Sequence, residues 1–92
     1  MNYPTVQNMK SKNGNSIPNQ FEIFTKTGKY FQSYSTTIAY IPVDGSPIQL
    51  DREKWDYSTT TGKYRNMFLR ETKKETERKI KSGEYILTDL NS

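Results

Sequence analysis

The chain contains no cysteine and no histidine. Their absence removes disulfides, thiol nucleophiles, Cys/His zinc sites and every histidine-based triad or proton relay. Apolar residues are scarce as well. They make up 32% of the 92 residues, against about 45–50% in an average domain when Gly is also counted. No run of about 18 apolar residues exists to span a membrane. The segment Met1 to Gln20 lacks an apolar h-region, so a secretory signal is not expected there. What is present in quantity is aromatic: rings are 13% of the chain, and seven of them are tyrosines. A small core built from large rings follows, since each buried ring removes roughly 150–250 Å² from water. The length suits one domain. A domain this short buries only about 60–65% of its unfolded surface, so marginal stability or self-association is expected.

Charge is uneven. The chain carries 14 basic and 10 acidic residues, a net +4. Between Arg52 and Lys81, ten basic residues face five acidic ones, so that segment holds +5 and the remainder −1. A basic half points to an anionic partner such as a nucleotide, nucleic acid or acidic protein surface. The competing reading is a solvated helix surface of mixed charge.

Local signals give an element order. Residues 1–20 form a polar arm rich in Asn, Ser, Lys and Gly, with Asn13-Gly14 as a turn and room for one short strand over Thr5–Met9. Phe21–Thr25 alternates as a strand, Lys26-Thr27-Gly28-Lys29 is a tight turn, and Tyr30–Ile41 is a second run that slips near Ser33 and Ser35. Pro42 and Asp44-Gly45-Ser46-Pro47 end it, and Ile48–Leu50 is a short third strand expected at an edge. Ser58 to Thr61 offers helix N-caps, and Tyr64 and Phe68 share one face. Thr72-Lys73-Lys74-Glu75 has the form of a capping box and Gly83 that of a C-cap, which favours two helices over one long one. Glu84–Leu90 reads as a last strand, expected to pair with the hairpin. The resulting fold class is α+β: a small antiparallel sheet of three to five strands, β-hairpin first. One long or two short helices cover one of its faces, and a C-terminal strand returns to it. Residues 21–92 form the domain proper.

Asn19-Gln20-Phe21-Glu22-Ile23, Tyr30-Phe31-Gln32-Ser33-Tyr34, Trp55-Asp56-Tyr57-Ser58 and Ile80-Lys81-Ser82-Gly83-Glu84-Tyr85 resemble small, functionally uncharacterised proteins of tailed bacteriophages. So do Gln49-Leu50-Asp51, Lys63-Tyr64-Arg65-Asn66 and Phe68-Leu69. The resemblance runs from about Val6 to Asn91. It brings no catalytic residues. It implies a viral gene product in a bacterial host's cytoplasm, or alternatively in the virion, and a role as an inhibitor of host defence or machinery or as a minor virion part.

Candidate chemistry centres on the first helix. Thr60, Thr61, Gly62, Lys63, Tyr64 and Arg65 put hydroxyls, a glycine and two cations at a helix N-terminus, where free N–H groups and the helix dipole favour an anion. It is not a P-loop: Tyr57 and Tyr64 stand where that motif needs Gly and Ser or Thr. Arg70, Lys73 and Lys74 add charge, and Trp55 adds area or closes the core. A secondary group joins Lys26 and Lys29 at the hairpin tip with Tyr30 and Tyr34, as cations beside rings that could stack on bases. Asp51, Glu53 and Asp56 could hold Mg²⁺, but Arg52 and Lys54 beside them make ion pairing the better account. No catalytic residue, cofactor or metal is assigned, and enzymatic activity is not expected. The expectation is a non-enzymatic binding protein that inhibits or sequesters a bacterial host factor through a basic, tyrosine-bearing surface, its target a host protein or an anionic nucleotide or nucleic acid, with no membrane. The alternative is a minor virion or assembly protein that pairs through sheet edges as a homodimer or larger homo-oligomer.

Overall fold

The computed structural model describes residues 3–91. Alternation and turn residues build five strands in succession: β1 (Thr5–Lys10), β2 (Ser16–Phe24), β3 (Gly28–Ser33), β4 (Thr36–Pro42) and β5 (Ile48–Asp51). Two helices follow, α1 (Thr59–Leu69) and α2 (Lys73–Ser82), and then β6 (Tyr85–Thr88). The six strands make one sheet in sequence order. Neighbours are antiparallel except β5 and β6, which run parallel. A parallel pair cannot be closed by a tight turn, and the helical segment between β5 and β6 supplies the crossover.

The class is therefore α+β, as expected, with several corrections of detail. The sheet has six strands and is mixed, not three to five and antiparallel. β5 lies inside it, between β4 and β6, and β6 pairs with β5 instead of the hairpin. Pro47, the reason for expecting an edge, stands one residue before β5 and takes no place in its ladder. The run Tyr30–Ile41 is two strands, because Tyr34 takes the left-handed conformation (φ 56°) and turns the chain without glycine. The polar arm also joins the sheet. Met1 and Asn2 lie outside the described residues, but Thr5–Lys10 and Ser16–Gln20 pair around the Asn13-Gly14 turn, and β2 runs straight through position 20. Their register breaks between Asn8 and Lys10, opposite the stretch where Pro18 lacks an N–H and Asn19 takes φ 63°.

Cross-strand register separates the two faces. Gln7, Glu22, Phe31, Ala39, Leu50 and Leu87 share one row on the helix side. The opposite face carries the row Val6, Ile23, Tyr30, Tyr40, Gln49 and Ile86, with Tyr30 stacked on Tyr40 at 4.4 Å. The buried core is Met9, Phe31, Ile38, Ala39, Leu50, Phe68 and Tyr85.

α1 buries Thr61, Arg65 and Phe68, a stripe at i, i+4 and i+7. Phe68 lies on Phe31 with ring centroids 5.6 Å apart, and Thr61 Oγ1 donates to Ser33 Oγ at 3.2 Å. α1 thus lies along β3 in the opposite direction. Ser58 caps it, its side chain accepting from the Thr61 N–H. Arg70 ends it in a left-handed conformation. The Thr72/Glu75 capping box starts α2 and Gly83 (φ 85°) stops it, so two helices form, as the capping signals imply. α2 is a charged cover that fully buries only Thr76.

Candidate functional site

The expected anion site at the start of α1 is a depression of about 440 Å³ lined by Asp56, Ser58, Thr59, Gly62, Lys63, Arg65, Asn66 and Lys73. Several of its residues are already engaged within the protein. Arg65 is 1% exposed. Its Nη1 donates to the Trp55 carbonyl at 2.6 Å and to Asp56 Oδ1 at 3.2 Å, and its Nη2 donates to Asn66 Oδ1 at 3.0 Å. The Trp55 ring covers the guanidinium at 5.1 Å, while Nε is buried without a partner. Lys73 Nζ binds the second Asp56 oxygen at 2.8 Å. Partial burial works against ionisation of Asp56, but the hydrogen bonds from Lys73 and Arg65 outweigh it and hold its carboxyl below the usual range. The same contact, through its hydrogen bond first, raises the Lys73 ammonium. Trp55 and Arg65 thus bolt the loop before α1 onto the helix. Thr61 and Gly62 are buried beneath the surface. Of the residues expected there, Thr60 and Lys63 remain exposed and Tyr64 is half-buried, with Lys63 Nζ lying 5.3 Å over the Tyr64 ring.

The basic half is likewise partly neutralised. Arg52 pairs with Asp89, Arg78 with Glu84 and Lys79 with Glu71. Lys79 belongs to a knot that is structural. Glu71 accepts from Thr76 Oγ1 at 2.6 Å, Lys79 Nζ at 2.8 Å and the Tyr85 hydroxyl at 2.7 Å. Desolvation opposes the Glu71 charge, yet these donors hold its carboxyl below the ordinary value. Burial first, and then the Glu71 carboxylate, push the Tyr85 phenol up to about 12. The knot ties the joint between the helices to β6.

The acidic trio is dispersed in role. Asp51 is buried and accepts backbone N–H groups of Lys54 at 3.0 Å and Leu90 at 2.9 Å, in place of the expected pairing with its basic neighbours. Among the described residues, no group of three or more acidic side chains is placed to hold a metal ion.

Cations gather instead at the other end of α1. A depression of about 210 Å³ is lined by Met9, Lys10, Glu22, Lys29, Met67, Phe68 and Arg70. Three cations there face one carboxylate, and none of the four is in an ion pair among the described residues. Lys29 Nζ lies 5.4 Å over the Phe68 ring. Arg70 and Lys29 were legible as candidates, but their meeting was not. Lys10 and Glu22 carried no signal of their own. They arrive through the β1–β2 hairpin, which puts the polar arm beside the end of α1.

A third feature adjoins this one and shares Lys29. A groove of about 640 Å³ opens on the helix side past the end of α1, along the row Thr5, Phe24, Lys29 and Ile41. Tyr3, Thr25, Gly28, Pro42 and Val43 complete it. Gly28 is required here, because a Cβ would come within 2.8 Å of Tyr40 Cε1 and closer still to the Ile41 carbonyl. The remaining candidates stand apart: Lys26 on the β2–β3 turn, Tyr34 at the β3–β4 turn, Tyr30 on the helix-free face and Lys74 on α2, all outside this groove.

A family model matches residues 5–84, covering every element but β6 entire. The chain belongs to DUF8033, a family of unknown function. No curated protein and no solved structure matches it. Membership in DUF8033 assigns no chemistry and leaves it to the side chains above. No helix among the described residues is long and apolar enough to cross a membrane.

Proposed function

We propose that this DUF8033 protein is a small non-enzymatic binding protein that engages an anionic target and so inhibits or sequesters a bacterial host factor. The phage and host setting rests on the sequence resemblance alone. The observation that carries the binding reading is the cluster of Lys10, Lys29 and Arg70 around Met9, Met67 and Phe68, where only Glu22 opposes them. Three cations outside any ion pair among the described residues, of which Lys10 donates to the Ser16 hydroxyl at 3.0 Å, attract an anion to this surface depression, and the apolar side chains beneath them lower the local dielectric and strengthen the attraction. Lys63 and Lys74 extend the basic surface along the helices, whereas Arg65 and Lys73 serve the fold.

The test is a titration of a fluorescent oligothymidylate and of a poly-glutamate peptide at several salt concentrations. If three cations make the contact, affinity for the preferred anion falls roughly tenfold or more between about 50 and 200 mM salt. Lys29→Gln with Arg70→Gln flattens that dependence. Binding that is flat with salt, or unchanged in the double variant, overturns the reading.

A second reading, as a virion or assembly part, draws on β1. This six-residue strand forms an outer edge of the sheet and is mostly exposed, which suits pairing with another chain. Stoichiometric presence in purified particles would support it.

A further inference from the structure

We propose that the groove beside the cation cluster is a binding site for a free, single-chain anionic amphiphile, of the long-chain carboxylate class. The acyl chain lies in the groove and the carboxylate sits on Lys29 and Arg70. This rests on the anionic-target reading and narrows it to one chemical class.

Size and lining argue first. The groove holds about 640 Å³, within the roughly 300–1,000 Å³ of small-molecule sites. Its walls are Phe24, Ile41, Pro42 and Val43, half-buried or, for Val43, 72% exposed. Such a surface gains from an apolar occupant in proportion to the area covered. Polarity argues next. The Thr25 hydroxyl is taken up by its own turn, donating to the Gly28 carbonyl and accepting from the Thr27 and Gly28 N–H groups. The Thr25 and Val43 N–H groups are bonded to the Gly28 and Thr27 carbonyls. A peptide laid against Thr25 and Val43 would bury amide groups beside polar groups that are already bonded, a cost of roughly a factor of ten for each group left unpaired. A methylene chain incurs no such loss.

Charge then sets the orientation. Lys29 lines both the groove and the basic depression, and its ammonium lies over Phe68 on the depression side. The groove thus meets the basic depression at Lys29, with Arg70 in that depression, and the complementary molecule is apolar along its length with a negative head. One groove suits one chain, so the source is a monomer in solution and not a bilayer.

Calorimetric titration with octanoate, decanoate and dodecanoate below their micelle concentrations tests this, with methyl NMR on Ile41 and Val43 to place the ligand. Affinity should rise roughly tenfold for each two added methylenes. The uncharged 1-decanol should bind at least about tenfold more weakly than decanoate. Lys29→Gln should remove that preference for charge. Val43→Glu, at an exposed position that folding tolerates, should weaken dodecanoate by about tenfold or more and shrink the chain-length effect. Absence of a chain-length effect overturns the inference. So does binding to phosphatidylglycerol vesicles without binding to monomeric dodecanoate. If salt-sensitive binding of oligothymidylate or poly-glutamate survives while the carboxylate series fails, only this inference falls. If neither binds, both readings fall.

Discussion

Removing the Asp56 charge should damage the fold more than removing the charge it faces. Arg65 is 1% exposed and lies between the Trp55 ring and the Asp56 carboxylate. Asp56 is the only carboxylate in its reach among the described residues. In Asp56→Asn the guanidinium keeps its bonds to the Trp55 carbonyl and Asn66, but its charge stays buried without a counter-ion. Breaking a buried pair from one side costs about 3–5 kcal/mol. In Arg65→Met the buried volume is nearly kept, and the freed carboxylate is half-exposed and still holds Lys73 at 2.8 Å. Its cost should be about 1–3 kcal/mol, mostly the bond to the Trp55 carbonyl. Urea unfolding followed by the single tryptophan reads both variants. With a slope near 1–1.5 kcal/mol per M for a domain of this size, Asp56→Asn should lower the midpoint by roughly 2–5 M. Against a total stability of about 5–15 kcal/mol, that is a large share. High salt should not close the gap between the variants, because a buried pair is little screened. A midpoint for Asp56→Asn within 0.5 M (roughly 0.6 kcal/mol) of the parent, or above that of Arg65→Met, would refute the reasoning.

Further outcomes follow from other residues. Glu71 and Asp56 have lowered carboxyl values, so the stability they supply is present above the unfolded-state range and lost as pH falls through their folded values; Glu71→Gln should flatten the acid limb of an unfolding-midpoint profile. Tyr85 has a raised value, so its share is complete below the unfolded value of 10 and lost as pH rises towards about 12, where absorbance at the phenolate band should show one tyrosine titrating late. Gly28→Ala should cost about 2 kcal/mol or more in urea unfolding, since the added carbon meets the Ile41 backbone. Tyr34→Gly should stabilise by about 0.5–1 kcal/mol, because a half-exposed tyrosine is held at φ 56° in a region only glycine enters freely.

Signals carried by neighbouring residues translated into structure. The Thr72/Glu75 box and Gly83 set the bounds of α2, Ser58 capped α1, and Asn13-Gly14 closed a hairpin. Each is a local hydrogen-bonding or φ preference that tertiary contacts did not override. What escaped was long-range or lacked its usual marker. The β3–β4 turn is hidden because Tyr34 does the work of a glycine, so a two-strand unit looks like one run. The interior position of β5 depends on β6 arriving in parallel from 34 residues further on, and no local pattern encodes that choice. The arm looked separable because β1 and the start of β2 are mostly exposed and polar, although their backbones pair.

The fate of the charges has the same physical root. A sequence count sees ten cations in a row of elements, but whether a cation is available depends on where the carboxylates fold to. Asp56 and Trp55 lie in the loop before α1, and that loop folds back over Arg65 on the helix, so the most conspicuous arginine is consumed by the core. Glu71 likewise consumes Lys79. Of the cations that make no ion pair among the described residues, three gather around apolar side chains: Lys29 over Phe68, and Arg70 and Lys10 in the depression that Met67 and Met9 line. An unpaired ammonium next to rings and thioethers keeps its hydration on one side only, and an anion that also brings apolar surface answers both sides of it at once. That is why the proposed binding surface lies not at the beginning of α1, where hydroxyls and glycine drew notice, but at its end, where no motif exists.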